Sequence, residues 1–173
     1  MVLDIVKHPA DILNQPTSEV ESVTSDKIQT LIDNMIETMH SADGVGIAGP
    51  QVNESLRLTI IGKHAVEHRD DLPLEESNNL PLINPTWEKL NKKTTTEQEG
   101  CLSIPNTFGK VERWKKIKVK AEDRHGNELK FEASNYLARV IQHEVDHLEG
   151  TLFIEKTENI NEVDPIEQAV KNR

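Results

Sequence analysis

The clearest apolar pattern of the chain lies between Ser25 and Ala42. Apolar side chains recur there at i, i+3, i+4, i+7, i+8 and i+11, which places them on one face of an α-helix with about 3.6 residues per turn. These positions are Ile28, Leu31, Ile32, Met35, Ile36 and Met39. The pattern predicts a long N-terminal helix whose apolar stripe packs into the core.

A second helical pattern runs from Ser134 to Gly150. Ser134 suits the N-cap position, and Gly150 suits the position after the last turn. The apolar residues at helical spacing between them are Leu137, Val140, Ile141, Val145 and Leu148. This segment is predicted to form one amphipathic helix of about four turns.

Alternation of apolar and polar residues, which is typical of β-strands, occurs in Lys116–Glu122 and again in Glu128–Glu132. Turn-forming residues 124–127 lie between the two stretches, so a hairpin is predicted. Leu56–Ile61 is rich in β-branched residues and predicts a further short strand. The polar stretch Lys63–Asn79 is interpreted as a surface loop.

The end of the chain carries a third helix signal. Asp164 and Pro165 suit the N-cap and first turn of a short C-terminal helix over 166–170. Because the predicted strands lie between two long helices, the pattern favours an α+β fold with largely antiparallel sheet. The 173 residues fit a single domain spanning 1–173.

The strongest candidate for chemistry lies within the second predicted helix. His143 and His147 are one helical turn apart, so both imidazoles lie on one face and can bind one divalent ion. Glu144 falls within the apolar arc, and a buried carboxylate there suits acid–base chemistry on a bound water. The same spacing also arises by chance on solvated helices, so a metal site needs a further ligand.

Cys101, the single cysteine of the chain, is the candidate for that third ligand. It lies in an extended-looking segment, because Gly100 and Pro105 disfavour a helix. A lone cysteine is more often a small buried apolar residue. Two histidines, a thiolate and a water, however, would complete the open four-coordinate site of a catalytic metal.

A glycine-rich segment over Gly44–Val52 follows the first helix. One interpretation is a helix C-cap followed by a turn. A phosphate-binding loop is disfavoured, because no Lys-Ser/Thr pair follows the glycines and no strand precedes them. The functional interpretation is a backbone that approaches a ligand closely, with the Gln51 amide as a hydrogen-bond donor.

Together these segments resemble the peptide deformylase family. The family has a glycine-rich loop ending at the position of Gln51, then Glu-Gly-Cys-Leu-Ser around Cys101, then Gln-His-Glu-x-Asp-His, in this order. The resemblance covers most of the chain, from about Pro9 to Phe153, and implies antiparallel sheets packed around a central metal-binding helix. Gly49 departs from the family, which usually has alanine there, so we expect a freer backbone in this loop.

The resemblance implies a metal-dependent hydrolase that removes the N-formyl group from the initiator methionine of new polypeptides and releases formate. It implies Cys101, His143 and His147 as ligands of one divalent metal. Fe²⁺ is the implied ion, with Zn²⁺, Ni²⁺ or Co²⁺ able to occupy the site. Metal-bound water would be the nucleophile, and Glu144 the general base and acid.

The resemblance also assigns residues to the substrate. As water attacks, the formyl oxygen gains negative charge, and the implied donors to it are the Gln51 side-chain amide and the Leu102 backbone N–H. Val45 and Gly46 would hold the peptide main chain in the manner of a strand. The candidates for an apolar slot that takes methionine are Val45, Tyr136 and Val140.

Two further expectations come from charges near the motif. Glu99 and Arg113 are candidates for an ion pair that pins the cysteine segment, with a solvated surface pair as the alternative. Asp146 projects from the helix face opposite the histidines, so we expect it to pair with another residue and not with the metal.

Charge and composition limit the partners. The formal charge of −10 argues against a broad nucleic-acid-binding face, because phosphate binding needs clustered Lys and Arg. No apolar run approaches the roughly 20 residues of a membrane helix, and residues 1–7 lack the arrangement of a signal peptide. The lone cysteine excludes an intramolecular disulfide. We expect a cytoplasmic protein that acts on nascent N-formylmethionyl peptides, with no membrane partner and a transient ribosome contact left open.

Two alternatives remain at this stage. A zincin-type metalloendopeptidase shares the His-Glu-x-x-His helix, but that class requires neither Cys101 nor Gln51 in a glycine-rich loop. A non-enzymatic metal-binding relative of the deformylases is disfavoured, because every candidate catalytic side chain is present.

Overall fold

The computed structural model of the chain describes residues 1–75 and 77–163. It contains two α-helices and eight strands, with short 3₁₀ helices over Asp11–Asn14, Gly49–Val52 and Phe153–Lys156. In chain order the main elements are α1 (Asp26–Ser41), β1 (Gly46–Ala48), β2 (Leu58–Ile61), β3 (Leu80–Lys89), β4 (Thr94–Cys101), β5 (Ile104–Trp114), β6 (Lys116–Glu122), β7 (Glu128–Ser134), α2 (Asn135–Leu148) and β8 (Ile160–Glu162). The C-terminal helix predicted over 166–170 lies outside the described residues.

The strands form two antiparallel sheets. The larger has the order β1-β2-β3-β6-β7, and the smaller has the order β4-β5-β8. The expected α+β fold with antiparallel sheet is therefore confirmed.

Both long helices occur where the apolar periodicity predicts them. Helix α1 has Ser25 at its N-cap and Ala42 at its C-cap. After α2, Gly150 adopts a left-handed φ of 74°, and its N–H donates to the carbonyl of His147, as expected for a residue that ends a helix. Ser134 occupies the N-cap position of α2, but its side chain makes no capping hydrogen bond with any described residue.

The predicted hairpin is confirmed as β6 and β7, which pair from Lys116↔Ser134 to Glu122↔Glu128. The Asp123 carboxylate closes the turn by accepting backbone N–H groups of His125 and Asn127. The strand predicted over Leu56–Ile61 is β2, two residues shorter at its start.

Strands β1, β3 and β8 have no counterpart among the sequence predictions, and of β4 and β5 only the extended segment around Cys101 was predicted. β3 contains Pro81 and Pro85, which disfavour a strand interior because proline has no N–H to donate to a neighbour. β4 has three threonines and two acidic residues among its first six positions. Its sequence therefore shows no alternation of apolar and polar residues that would predict a strand.

Helix α2 contacts strands of both sheets. Its apolar side chains, Leu137, Val140, Ile141 and Val145 among them, pack against the five-stranded sheet. A separate cluster that includes Ile104, Val111 and Phe153 fills the side of the three-stranded sheet and contacts Cys101. Every side chain from Leu137 to Leu148 is buried, so the histidine motif lies in the protein interior.

The glycine-rich loop is packed more tightly than its sequence suggests. A Cβ on Gly49 would lie 2.6 Å from the Leu56 carbonyl oxygen and 2.8 Å from that of Glu54. These neighbours are backbone atoms, so a side chain at this position would force the segment 54–56 to shift. The expectation of a freer loop backbone is therefore wrong: the missing methyl lets the following segment close onto the loop that carries Gln51.

Candidate metal centre and its cavity

The three predicted ligands converge. One donor atom each from Cys101, His143 and His147 lies within 4.8 Å of the others, and Cys101 Sγ is 3.2 Å from His147 Nε2. Helix α2 supplies both histidines on adjacent turns. Cys101 is the last residue of β4, and the turn Leu102–Ser103 leads into β5, so the tip of this hairpin brings the sulfur against α2.

This donor set fits a divalent metal. Ligand atoms at bond lengths of about 2.0–2.3 Å in a tetrahedral site are separated by roughly 3.5 Å, which the three donors reach with small side-chain adjustments. One sulfur and two imidazole nitrogens suit a borderline-soft cation and leave a coordination position free for a reactant. The residues present therefore match a catalytic metal site in number, type and spacing.

A buried carboxylate orients the first histidine. Glu99 Oε2 lies 2.9 Å from His143 Nδ1, while Arg113 donates from Nε to Oε1 and from Nη2 to Oε2, each at 2.9 Å. Arg139 Nη1 adds a bond of 2.7 Å to Oε1. Because an ionised carboxylate only accepts, the Nδ1 proton of His143 is held on this side and its Nε2 lone pair is left for a metal.

The pKa values follow from these contacts. Burial alone would raise the pKa of Glu99, but the hydrogen bonds from Arg113 and His143 outweigh it and hold that pKa well below its usual range. Burial likewise lowers the pKa of His143, yet hydrogen bonds with Cys101 and Glu99 raise it to about 10. The surroundings of His143 thus favour positive charge, which a bound cation supplies equally well.

Arg113 extends the network to the other side of α2. Its Nη1 donates to Asp146 Oδ2 at 2.5 Å, and Lys156 Nζ donates to Asp146 Oδ1 at 2.9 Å. The expected ion pair of Glu99 with Arg113 is confirmed, and both partners are buried. Asp146 pairs with cations and contributes no ligand to the cluster, as expected.

Glu144 lies beside the ligands in an enclosed position. Burial raises its pKa to about 7, and its Oε2 has no hydrogen-bond partner among the described residues. A Cβ on Gly46 would lie 2.4 Å from Glu144 Oε1. Gly46 therefore leaves room for the Glu144 carboxylate. The close approach expected of this loop backbone is an approach to Glu144.

Gln51 reaches the centre from the glycine-rich loop. Its Oε1 accepts the backbone N–H of Ala48 at 2.9 Å, which orients the amide. Its Nε2 lies 3.5 Å from Cys101 Sγ and 3.2 Å from Ser103 Oγ. The side-chain N–H groups of Gln51 are thus directed at the cysteine end of the β4–β5 hairpin.

A cavity of about 650 Å³ opens above these groups. Nine of the ten candidate residues line it; the tenth, His147, lies 3.2 Å from the lining residue Cys101. Among the apolar candidates, Val140 is buried, whereas Val45 and Tyr136 are 40% and 45% exposed and stand at the mouth. The lining candidates are Val45, Gly46, Gln51, Cys101, Leu102, Tyr136, Val140, His143 and Glu144.

A larger hollow of about 820 Å³ lies between α1 and residues 73–81 and contains none of these candidates. Its central cation, Arg124, is already bonded to Gln29, Asp33 and Glu75. The cavity lined by two of the candidate ligands and Glu144 is therefore the smaller of the two.

The sequence model of the family described as polypeptide deformylase matches residues 2–163. The chain belongs to this family. A Bacillus anthracis protein named peptide deformylase 1 is 42% identical over 167 residues, which cover 96% of this chain and 99% of the relative.

Solved deformylase structures share the fold. A Thermotoga maritima peptide deformylase superposes with a TM-score of 0.81 at 33% identity, covering 91% of this chain and 99% of that one. A Met-Ala-Ser-bound class I type b peptide deformylase from Acinetobacter baumannii gives a TM-score of 0.80 at 35% identity, covering 90% of this chain and 98% of that one. Family and fold are those of a deformylase, a metal-dependent hydrolase.

Two further residues contact Glu99 or Gln51 and were not predicted from the sequence. Arg139 lies one turn before His143 on α2 and bonds to Glu99 and to the carbonyls of Val111 and Thr95; its spacing to His143 was the available signal. Ser103 contacts Gln51 Nε2; it ends the Glu-Gly-Cys-Leu-Ser segment, but no role was predicted for it from the sequence.

Replacing Arg113 with methionine tests the network. Arg113→Met leaves the buried Glu99 and Asp146 without their shared cation, so the free energy of unfolding should fall by about 3–5 kcal/mol in urea titrations. The matched control is Arg69→Met, which removes a partly exposed pair with Asp71 and should cost about 1 kcal/mol or less. Equal losses in the two variants would contradict a special role for the buried network.

Proposed function

We propose that this chain hydrolyses the N-formyl group of formylmethionyl peptides and releases formate and a free amino terminus. The observation that carries the proposal is the convergence of Cys101, His143 and His147 beneath a cavity that also contains Glu144 and Gln51. Family membership supports the same reaction. We place this activity on nascent peptides in the cytoplasm and in a single domain spanning 1–173.

Cys101, His143 and His147 would hold one divalent ion, and Fe²⁺ is the proposed one. Such an ion acts as a Lewis acid that makes water a usable nucleophile near neutral pH and polarises a carbonyl oxygen. Glu99 prepares the site by keeping the Nδ1 proton of His143 away from the ligand position.

Glu144 would move the proton. Its carboxylate is buried next to the ligand cluster, and Oε2 is unengaged by any described residue, so it can accept a proton from the attacking water. It can then pass that proton to the nitrogen that leaves as the new amino terminus. A general base of this kind contributes about 10²–10⁴-fold to a rate, and burial raises the pKa of Glu144, which strengthens it as a base.

Gln51 and Leu102 would stabilise the formyl oxygen as it gains charge. The amide of Gln51 is held by Ala48 and directed at the cysteine segment, which borders the same cavity as Leu102. Donors fixed in advance lower the barrier because they need no reorganisation when charge develops. The Leu102 backbone N–H is proposed as the second donor.

The cavity walls suit a methionine at the start of an extended peptide. Val140 provides a buried apolar surface, with Val45 and Tyr136 at the mouth. β1, which contains Gly46, is an edge strand of the larger sheet, so a peptide main chain can pair along it. The Met-Ala-Ser complex of the Acinetobacter baumannii relative supports this class of ligand.

A metalloendopeptidase is the rival enzyme, and substrate choice separates the two. Wild-type protein reconstituted with Fe²⁺ without oxygen should release formate from formyl-Met-Ala-Ser and leave internal bonds of unblocked peptides intact. Peptide cleavage without formate release would contradict the proposal.

The Glu144→Gln variant tests the proton transfer. The amide keeps the shape of the side chain but cannot accept the proton, so formate release should fall by at least about 10²-fold. Metal content, measured by elemental analysis, should stay near that of the wild type, because Glu144 is not a ligand. Near-normal formate release would remove Glu144 from the mechanism.

The Gln51→Ala variant tests the oxyanion donor. An interaction of about 3 kcal/mol made only in the transition state should lower kcat and kcat/KM together by roughly 10²-fold. Metal content and unfolding temperature serve as controls and should change little. A rise in KM with unchanged kcat would instead make Gln51 a ground-state binding residue.

A further inference from the structure

Five lysines of this acidic chain lie together at one end of its larger sheet. The connection of β3 to β4 and the connection of β5 to β6 lie side by side, because Leu90 N–H donates to the Lys116 carbonyl and Lys115 N–H to the Lys93 carbonyl. Residues 89–93 and 115–116, which we name the lysine tip, contain five lysines and no acidic residue. The tip therefore carries a formal charge of +5 in a chain of −10.

Most of these charges are available to a partner. Lys89, Lys92, Lys93 and Lys115 are exposed and form no ion pair with a described residue, whereas Lys116 pairs with Glu132. The lysines on the outer face of β6 and β7 are different: Lys118 stands opposite both Glu88 and Glu132, and Lys130 pairs with Glu128. Lysines on the sheet face thus have acidic neighbours across the strands, whereas four of the five tip lysines form no ion pair with a described residue.

The net charge of the chain does not cancel this local charge. Exposed charges more than a Debye length apart are largely screened, and that length is about 8 Å at physiological ionic strength. A phosphate chain that contacts the tip therefore interacts mainly with its lysines and weakly with the distant acidic surface.

We propose that the lysine tip is a docking surface for the phosphate backbone of RNA. A B-form duplex presents one negative charge per about 1.7 Å of its axis, and a phosphate backbone of such charge density suits clustered lysines. A lipid surface fits less well, because Leu90, 38% exposed, is the only large apolar side chain that the tip offers for insertion. Contacts to phosphates alone bind without sequence preference.

The tip borders the cavity of the candidate metal centre. Asn135 N–H donates to the Lys115 carbonyl, and the next residue, Tyr136, stands at the cavity mouth. Arg139, which bonds to Glu99, also bonds to the Thr95 carbonyl, two residues after the tip. An RNA bound at the tip thus lies beside the entrance that a peptide substrate uses, while none of the tip lysines lines the cavity.

The test compares two variants of equal net charge. Lys92, Lys93 and Lys115 are changed to glutamine in the tip variant, and Lys118, Lys120 and Lys130 in the control variant. Binding of a short fluorescein-labelled RNA duplex is measured by fluorescence anisotropy across a salt series. Formate release from a free formyl-peptide serves as a folding check, and both variants should keep it.

Wild-type protein should bind the duplex with an affinity that falls steeply as salt rises. In a plot of log K against log salt, the tip variant should have a slope shallower by about 2–3, because each lost phosphate contact removes roughly 0.9. The control variant should keep the wild-type slope. Equal weakening of both variants, or no wild-type binding at low salt, would overturn the proposal. Binding to phosphatidylserine vesicles but not to RNA would also overturn it, and would assign the tip to a lipid surface.

Discussion

The site depends on one buried interaction, the contact of the Glu99 carboxylate with Arg113, Arg139 and His143. Glu99 lies on β4, two residues before the cysteine, and His143 lies on α2. The carboxylate therefore ties the strand that supplies the sulfur to the helix that supplies both imidazoles. Because its two oxygens accept four hydrogen bonds, neither element can shift without leaving a buried charge unpaired.

A network of this kind contributes positioning more than stability. Burying charges costs several kcal/mol for each ion, and paired contacts roughly recover that cost. The network instead fixes the positions of its side chains. Asp146, which pairs with both Arg113 and Lys156, adds to this positioning on the far side of Arg113. By contrast, Glu144 Oε2 and His147 Nδ1 are the buried side-chain atoms that find no partner within the described residues. The unpaired Glu144 oxygen lies where the proposed reaction needs a proton acceptor.

Part of the fold and of the candidate site could be predicted from local patterns in the sequence. The stripe of α1, the hairpin of β6 and β7 and the histidine pair of α2 each depend on residues close in the chain, and each occurs as expected. Strand β3 could not be predicted, because Pro81 and Pro85 are tolerated only through its particular pairing in the sheet. The packing of Gly49 against the Leu56 and Glu54 carbonyls is likewise set by tertiary contacts, which a comparison of side-chain volumes cannot show. The lysine tip could not be predicted from the net charge of the chain, because its two segments lie side by side only after folding.

The proposed function requires that Cys101, His143 and His147 together bind one divalent ion. X-ray absorption at the metal edge of the reconstituted protein measures this directly. For protein loaded with Zn²⁺ we expect one sulfur at about 2.3 Å and two imidazole nitrogens at about 2.0–2.1 Å, with the sulfur lost in Cys101→Ser. A first shell of nitrogen and oxygen alone in the wild-type protein would contradict it.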